Sequence, residues 1–486
     1  MRLTNHVTAR HVGHLVASAL LVLLIVPAMA SAHAILIASD PPMQEATPVA
    51  PAVVRLQFSE PITLLNAAED CQVVSSTGAS IESAPCHVSA TNVRELDAPL
   101  VRHVAPGTYT VRYQVVSADS HVVGAALPFA IGHGPVGLPY LGNRPGQGPS
   151  ETSAWEVSAR ALEYVGLGGL LAIIAFRWLV WAPVWRPGGR HDAMASADRQ
   201  AGLDWGRDLF WTAFGILAIG AMLAEGYLLV VYSATVLGTS VSHAATDTSG
   251  IGTVLSSTRF GSLIQYRGAL LFVLFAIGAW QYLAEFGGGA EPRPATAGGR
   301  PVPGAIMAVA IIGVLWEIAS QGHASQAPLP RLQEVADLAH LGSAAIWVGG
   351  LALTILFLWR LPRAVPGAGD AIATDVLIRF SRVALVAVAV IVATGVIRTF
   401  GELSAPSQLW TTSYGVTILV KVGLLSIAGI IALRNRRITQ TLARRAAPHQ
   451  AALASVRSAA MAELVAGIAI VVMAALLVAE VPGRIG

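Results

Sequence analysis

Two fold classes follow one another in this sequence. A small all-β domain of the Ig-like or Greek-key kind, sandwich or barrel, precedes an all-α polytopic membrane domain of about eight transmembrane helices. Three observations predict this. The 486 residues are 54% hydrophobic and 12% charged, with a mean hydropathy of +0.62, which places most of the chain in a bilayer. Up to residue 134, apolar and polar residues alternate in short runs broken by Pro, Gly, Ser and Asp, the period of strands. Beyond residue 153, apolar runs long enough to cross ~30 Å of hydrocarbon keep recurring.

Residues 1–32 read as a secretory signal: Arg2 and Arg10, an apolar run from Leu15 to Val26, Pro27, then Ala30-Ser31-Ala32 as a small-residue cleavage site. Cleavage after Ala32 makes His33 the first mature residue. The alternative, an uncleaved first membrane helix, is disfavoured by the shortness of the apolar run. In the β domain, 33–134, "VVRLQFSEPI" sets Val54, Leu56 and Phe58 on one face and Arg55 and Gln57 on the other, and "GTYTVRYQVVSADSHVVGAALPFAIG" reads as two strands around a polar turn. Cys71 and Cys86, the only cysteines, lie between the signal and the first later span. An oxidising compartment makes them a structural disulfide rather than metal ligands. Residues 135–153 form a Gly/Pro-rich linker.

The membrane domain, 154–482, contains apolar stretches at about 155–182, 208–237, 262–285, 303–320, 335–359, 379–401, 415–433 and 459–481. With the β domain outside, the inner loops carry Arg186, Arg190, Arg199, Arg207, Arg293, Arg300, Arg360, Arg363 and the group from Arg434 to Arg457. The outer segments hold mainly Arg259, Arg331 and Arg484. The positive-inside rule then puts the β domain and the C-terminus on the outer side of the membrane. The net charge of +3 is explained by orientation, and a nucleic-acid partner is not expected. No GxxxxGK[ST] sequence occurs, so no nucleotide partner is expected, and nothing points to an enzyme.

As a free N-terminus, His33 offers an α-amine and an imidazole nitrogen that close a chelate ring on one metal ion. Asp119 and His121, in "SADSHVVG", are two apart and share a face if extended. These donors suit the tetragonal preference of Cu(II). Taken singly each signal has a plain reading, a leftover residue after a signal or a solvated turn. Together, "HAILIASDPPMQEATP", "VVRLQFSEPI" and "GTYTVRYQVVSADSHVVGAALPFAIG" resemble the CopC-type periplasmic copper-binding domain. That resemblance implies Cu(II) bound by His33, Asp119 and His121, with Glu60 of "FSEPI" beside the site. Some members of that family carry a Met-rich segment for Cu(I). This domain has only Met43, so no methionine site is expected. His87 and His103 read as surface histidines.

Ionisable groups within spans are functional candidates. His323 ends the fourth span at the outer face, and Asp337 and His340, three apart on one helix face, open the fifth from the same side. This predicts an outer-leaflet metal or relay site that Glu225, His243 and Glu317 widen or feed. Lys421, the only lysine, lies in the seventh span at a depth similar to Arg398 in the sixth, and either pairs with Glu402, Asp337 or Glu317 or takes part in transport. "DLAHLGSAAIWVGGL", "RFSRVALVAVAVIVATGVIRT" and "YGVTILVKVGLLSIAGIIALRNR" are similar to the CopD-type membrane domain, over roughly 155–481. The resemblance implies a CopC–CopD fusion whose ligand is copper, whose other partners are the bilayer and further copper-handling proteins, and whose role is copper transport, favouring uptake, in homeostasis or resistance. Outer-compartment sequestration or delivery without transport is the main alternative. A haem-binding membrane protein and a copper monooxygenase are the others.

Overall fold

The computed structural model describes residues 34, 36–117, 122–141, 154–187, 189, 191, 194–286, 301–321, 329–444 and 450–479. The described residues of 29–156 and 227–266 form one compact unit, and those of 157–226 and 267–486 form the other.

In the first unit the alternation of apolar residues becomes two facing sheets. One has the order β1 (Leu36–Asp40), β3 (Val53–Phe58), β7 (Glu95–Pro99), β6 (His87–Val88). The other has the order β2 (Ala46–Thr47), β9 (Val122–Ile131), β8 (Gly107–Ser117), β4 (Ile62–Thr63), with β5 (Cys71–Ser75) also on β8. Along β3, Val54, Leu56 and Phe58 are buried and Arg55 and Gln57 exposed, because successive side chains of a strand leave on opposite faces. They meet Leu96, Val111, Tyr113 and Phe129 in a single core, which makes the domain a β-sandwich. Cys71, which follows the short helix α1 (Ala67–Asp70), is disulfide-bonded to Cys86 across 15 residues. Closing a loop of that length restricts the unfolded chain by about 3 kcal/mol.

Among the described residues, eight helices are long and apolar enough to cross a membrane. They are α2 (Ala154–Phe176, continuing through a π turn to Val184), α3 (Ser196–Val236), α6 (Arg259–Phe286), α7 (Pro301–Gln321), α8 (Pro330–Ala364), α9 (Gly369–Glu402), α11 (Ser413–Arg444) and α12 (Gln450–Ala479). Their outward side chains are apolar, as a lipid-facing surface must be: Ile216, Leu223, Phe272, Val386 and Ile430 are all exposed. Several helices outrun the apolar stretches that predict them. α3 begins at Ser196, and its first turns carry Asp204, Arg207 and Asp208, with Arg207 3.1 Å from Asp204 and 3.2 Å from Asp208. Hydropathy is blind to such a charged extension. Among the described residues beyond the sandwich there are also three short helices: α4 (Val241–Ala244), α5 (Thr248–Ser257) and α10 (Gln408–Thr411). Ser240 and Asp247 cap α4 and α5 by accepting from the backbone N–H groups of His243 and Gly250.

One glycine sets a helix spacing that matters below. A Cβ on Gly166 of α2 would lie 2.8 Å from the Cα of Ala221 on α3, a backbone atom that cannot swing away. Gly166 follows Glu163 by one turn and Ala221 precedes Glu225 by one turn, so the close approach of α2 and α3 brings the two acids to one level.

Candidate functional site

His33, Asp119 and His121 lie outside the described residues, but the chain on either side of them does not. Leu36, three residues after His33, pairs with Phe58; Ile62 pairs with Ser117; Val116 pairs with Val122. The start of β1, the β3–β4 connection, and the last and first residues of β8 and β9 therefore share one end of the sandwich. Ala34 there is fully buried, and Glu60, in the β3–β4 connection, is 3% exposed. Met43 is packed against the core as an apolar side chain.

The base of the β8–β9 turn is covered within the same unit. Val116, Val122 and Leu65 pack with Leu229, Tyr232, Val236, Leu237 and Val254, and Gln114 Nε2 donates to the Val236 carbonyl at 3.4 Å. His243 is exposed on α4, in the segment that does the covering. Within the sheets, Glu82 accepts a backbone hydrogen bond from Val73, and burial pushes its carboxyl above the ordinary range.

In the membrane unit, His323 is outside the described residues and Glu317 is half-buried on α7. Asp337 and His340 share a face of α8, as their spacing requires, and both are turned to α9. Arg398 reaches Asp337 Oδ1 at 2.7 Å and Glu402 Oε1 at 2.9 Å. Lys421 of α11 lies in the field of all three, and the close ion pairs of Asp337 and Glu402 are with Arg398.

His340 Nδ1 is 3.0 Å from Thr394 Oγ1, and that hydroxyl gives its single hydrogen to the Val390 carbonyl at 2.6 Å. With Thr394 giving its hydrogen to that carbonyl, the tautomer that completes the pair has the hydrogen on Nδ1. In that tautomer the Nε2 lone pair of the neutral ring can take a metal or a proton. A fixed Nδ1–H···O bond of this kind is how ligating imidazoles are oriented.

A second buried cluster joins α2, α3 and α6. Arg267 Nη1 hydrogen-bonds Glu163 Oε1, and Arg267 Nη2 stands 3.4 Å from Glu225 Oε2. Arg160 lies 3.2 Å from Glu163 Oε2. Glu163 and Arg267 are fully buried. Of these residues only Glu225 is singled out by the sequence reading. The rule that picked it, a charge inside an apolar run, applies equally to Glu163 in "ALEYVGL" and Arg267 in "QYRGALL". Among the described residues, no group of three or more His, Cys, Asp or Glu side chains is arranged to hold a metal ion.

A β-sandwich followed by eight spans with ionised groups between them defines a multi-pass membrane protein with an attached β domain. Residues 36–132 match the family described as CopC domain, and residues 374–477 match CopD, copper resistance protein D. The chain thus joins a CopC domain to a CopD domain, and is a copper resistance or copper transport protein of that type. Over 416 residues, 83% of this chain and 68% of the relative, it is 26% identical to the copper transport protein CutJ of Bacillus subtilis (strain 168). CopC from Methylosinus trichosporium OB3b is 25% identical over 20% of this chain and 93% of that one, with a TM-score of 0.18. PcoC, a methionine-rich copper resistance protein from Escherichia coli, is 22% identical over 21% of this chain and 99% of that one, also at 0.18.

Proposed function

We propose that the β domain captures Cu(II) outside the cytoplasmic membrane and that the helical domain moves copper inward, supplying or buffering the cell's copper. The ligands are the α-amine and imidazole of His33, the Asp119 carboxylate and the His121 imidazole. One observation carries this reading: a CopC and a CopD domain occupy the same chain. The register supports the ligand set, because the described neighbours of all three residues share one end of the sandwich. Glu60, buried at that end, fixes the surroundings of the site. In the membrane domain the Nε2 atom of His340 is the donor that copper meets, with His323, two residues beyond α7 in sequence, as its partner. Asp337 shapes the site through Arg398.

Signal cleavage is a maturation step on this reading, because an amide at His33 lacks the amine that closes the chelate. One extra residue ahead of His33 should therefore weaken Cu(II) binding to the full-length protein, measured by equilibrium dialysis. Full-strength binding by that variant rules the chelate out. Deleting the gene should lower cell-associated copper. Raised copper would instead mean export or protection, and unchanged copper in a His323→Ala, His340→Ala double variant would remove the membrane route. The engagement of Asp337 by Arg398 favours one competing reading, in which copper is held outside and the spans anchor and dock. Wild-type copper import in cells that make only the membrane-anchored β domain would select it.

A further inference from the structure

The cluster on α2, α3 and α6 contains a carboxylate that its surroundings do not satisfy. Glu225 is 6% exposed, and neither of its side-chain oxygens accepts a hydrogen bond among the described residues. Its nearest cation, Arg267, directs a hydrogen bond to Glu163 and remains 3.4 Å away through Nη2. The charged groups acting on Glu225 are Arg267 from α6 and Glu163 and Arg160 from α2. An ionised carboxylate buried without hydrogen bonds is costly, and removing its charge relieves that cost. The nearby guanidinium works the other way, favouring the charged form.

The cluster counts two acids, Glu163 and Glu225, against two guanidinium groups, Arg160 and Arg267. With Glu225 ionised the four sum to zero, and with Glu225 protonated they sum to one positive charge. A group held between two such states gains and loses a proton as its surroundings change.

We propose that Glu225 is an exchangeable proton-binding site in the membrane domain, separate from the His340 site. The ligand is a proton and not copper. A metal ion at Glu225 would face the Arg267 guanidinium, and the described side chains of the cluster offer it no imidazole or sulfur. The step is a bare proton transfer: a proton from water adds to one Glu225 oxygen, and its release restores the carboxylate. No electron moves and no other reactant is consumed. Glu163 and Arg160 stay paired in both states, which keeps the rest of the cluster fixed while Glu225 changes charge.

The test is infrared difference spectroscopy on the purified full-length protein in phosphatidylcholine vesicles, titrated with acid and base in the absence of copper. A protonated-carboxyl band should appear and disappear with pH, the ratio of the two forms changing about tenfold per pH unit. One component of it should be missing in Glu225→Gln and present in Glu402→Gln. A wild-type minus Glu225→Gln difference with no carboxyl component, or a component that never titrates, overturns the proposal. If Glu225→Gln does not elute as a single folded species, Glu225→Asp serves, and an unshifted band in that variant is equally fatal. Because copper takes no part in the measurement, the result stands apart from any failure of the transport reading.

Discussion

Arg398 and Arg267 each sit between two carboxylates inside the helical unit, yet the two are used differently. Arg398 holds Asp337 at 2.7 Å and Glu402 at 2.9 Å, so both acids are in close ionic contact with one guanidinium. Arg267 holds Glu163 by a hydrogen bond and leaves Glu225 at 3.4 Å with neither oxygen accepting one. The first arrangement ties α8 to α9, and with Lys421 nearby its two cations match its two acids. In the second, Glu225 accepts no hydrogen bond on either oxygen, and a group in that condition is suited to changing its charge. One guanidinium between two carboxylates can thus make a brace or a titrating site, depending on about half an ångström of donor geometry.

Breaking the brace should give the largest effect. Arg398→Leu strands two buried carboxylates and should cost about 3–5 kcal/mol, seen as loss of folded, monodisperse protein on thermal challenge in detergent. Next comes the spacing that brings Glu163 and Glu225 level. Gly166→Leu forces a side chain against the Ala221 backbone and should cost about 1–3 kcal/mol in the same assay, with weakened Glu163–Arg267 pairing.

The sharpest comparison is between two neutralised acids. Glu402→Gln weakens a charged hydrogen bond from Arg398 and should cost about 1.5–3 kcal/mol, whereas Glu225→Gln removes none and should cost less than about 1 kcal/mol. Equal losses would mean that the two arginines do the same work.

The smallest effect lies outside the spans. Ser249 and Gly250 donate to Asp247 at 2.7 and 2.9 Å and hold its carboxyl below its ordinary value of 3.8. A depressed carboxylate contributes stability that is present above the unfolded value and lost as the pH falls through the folded one. Protection of the α5 amides, taken relative to their intrinsic exchange rate at each pH, should therefore fall slightly on acidification below about pH 4, and Asp247→Asn should flatten that dependence.

Much of the fold was legible in the sequence because the relevant signals are local. The alternation of Val54, Leu56 and Phe58 names the buried face of β3 whatever lies opposite, since a strand has a period of two. Eight apolar runs predict eight spans because hydrocarbon thickness is fixed. The charged start of α3 and the short helices α4 and α5 were not legible. Their stability comes from caps, ion pairs and packing rather than from an apolar run of membrane length.

The candidate sites divide in the same way. His33, Asp119 and His121 could be proposed from residue type and spacing. The chelating potential of an N-terminal histidine is a property of the residue itself. Asp337 and His340 could be placed on one face by counting. What counting cannot supply is the partner. Asp337 is engaged by an arginine 61 residues away in sequence, and His340 finds the partner of its Nδ1 atom, Thr394, on another helix. Glu163, Glu225 and Arg267 come from three helices and meet because Gly166 lets two of them touch.

Sequence alone determined the division into sandwich and spans, the core face of the strands and the donor types available for copper, because each follows from chain chemistry and a fixed local period. The tertiary structure decided which charges are compensated, which imidazole nitrogen meets a threonine and which carboxylate lacks hydrogen bonds. Those properties belong to distances between elements, and a buried charge takes its character from the few atoms within hydrogen-bond reach of it.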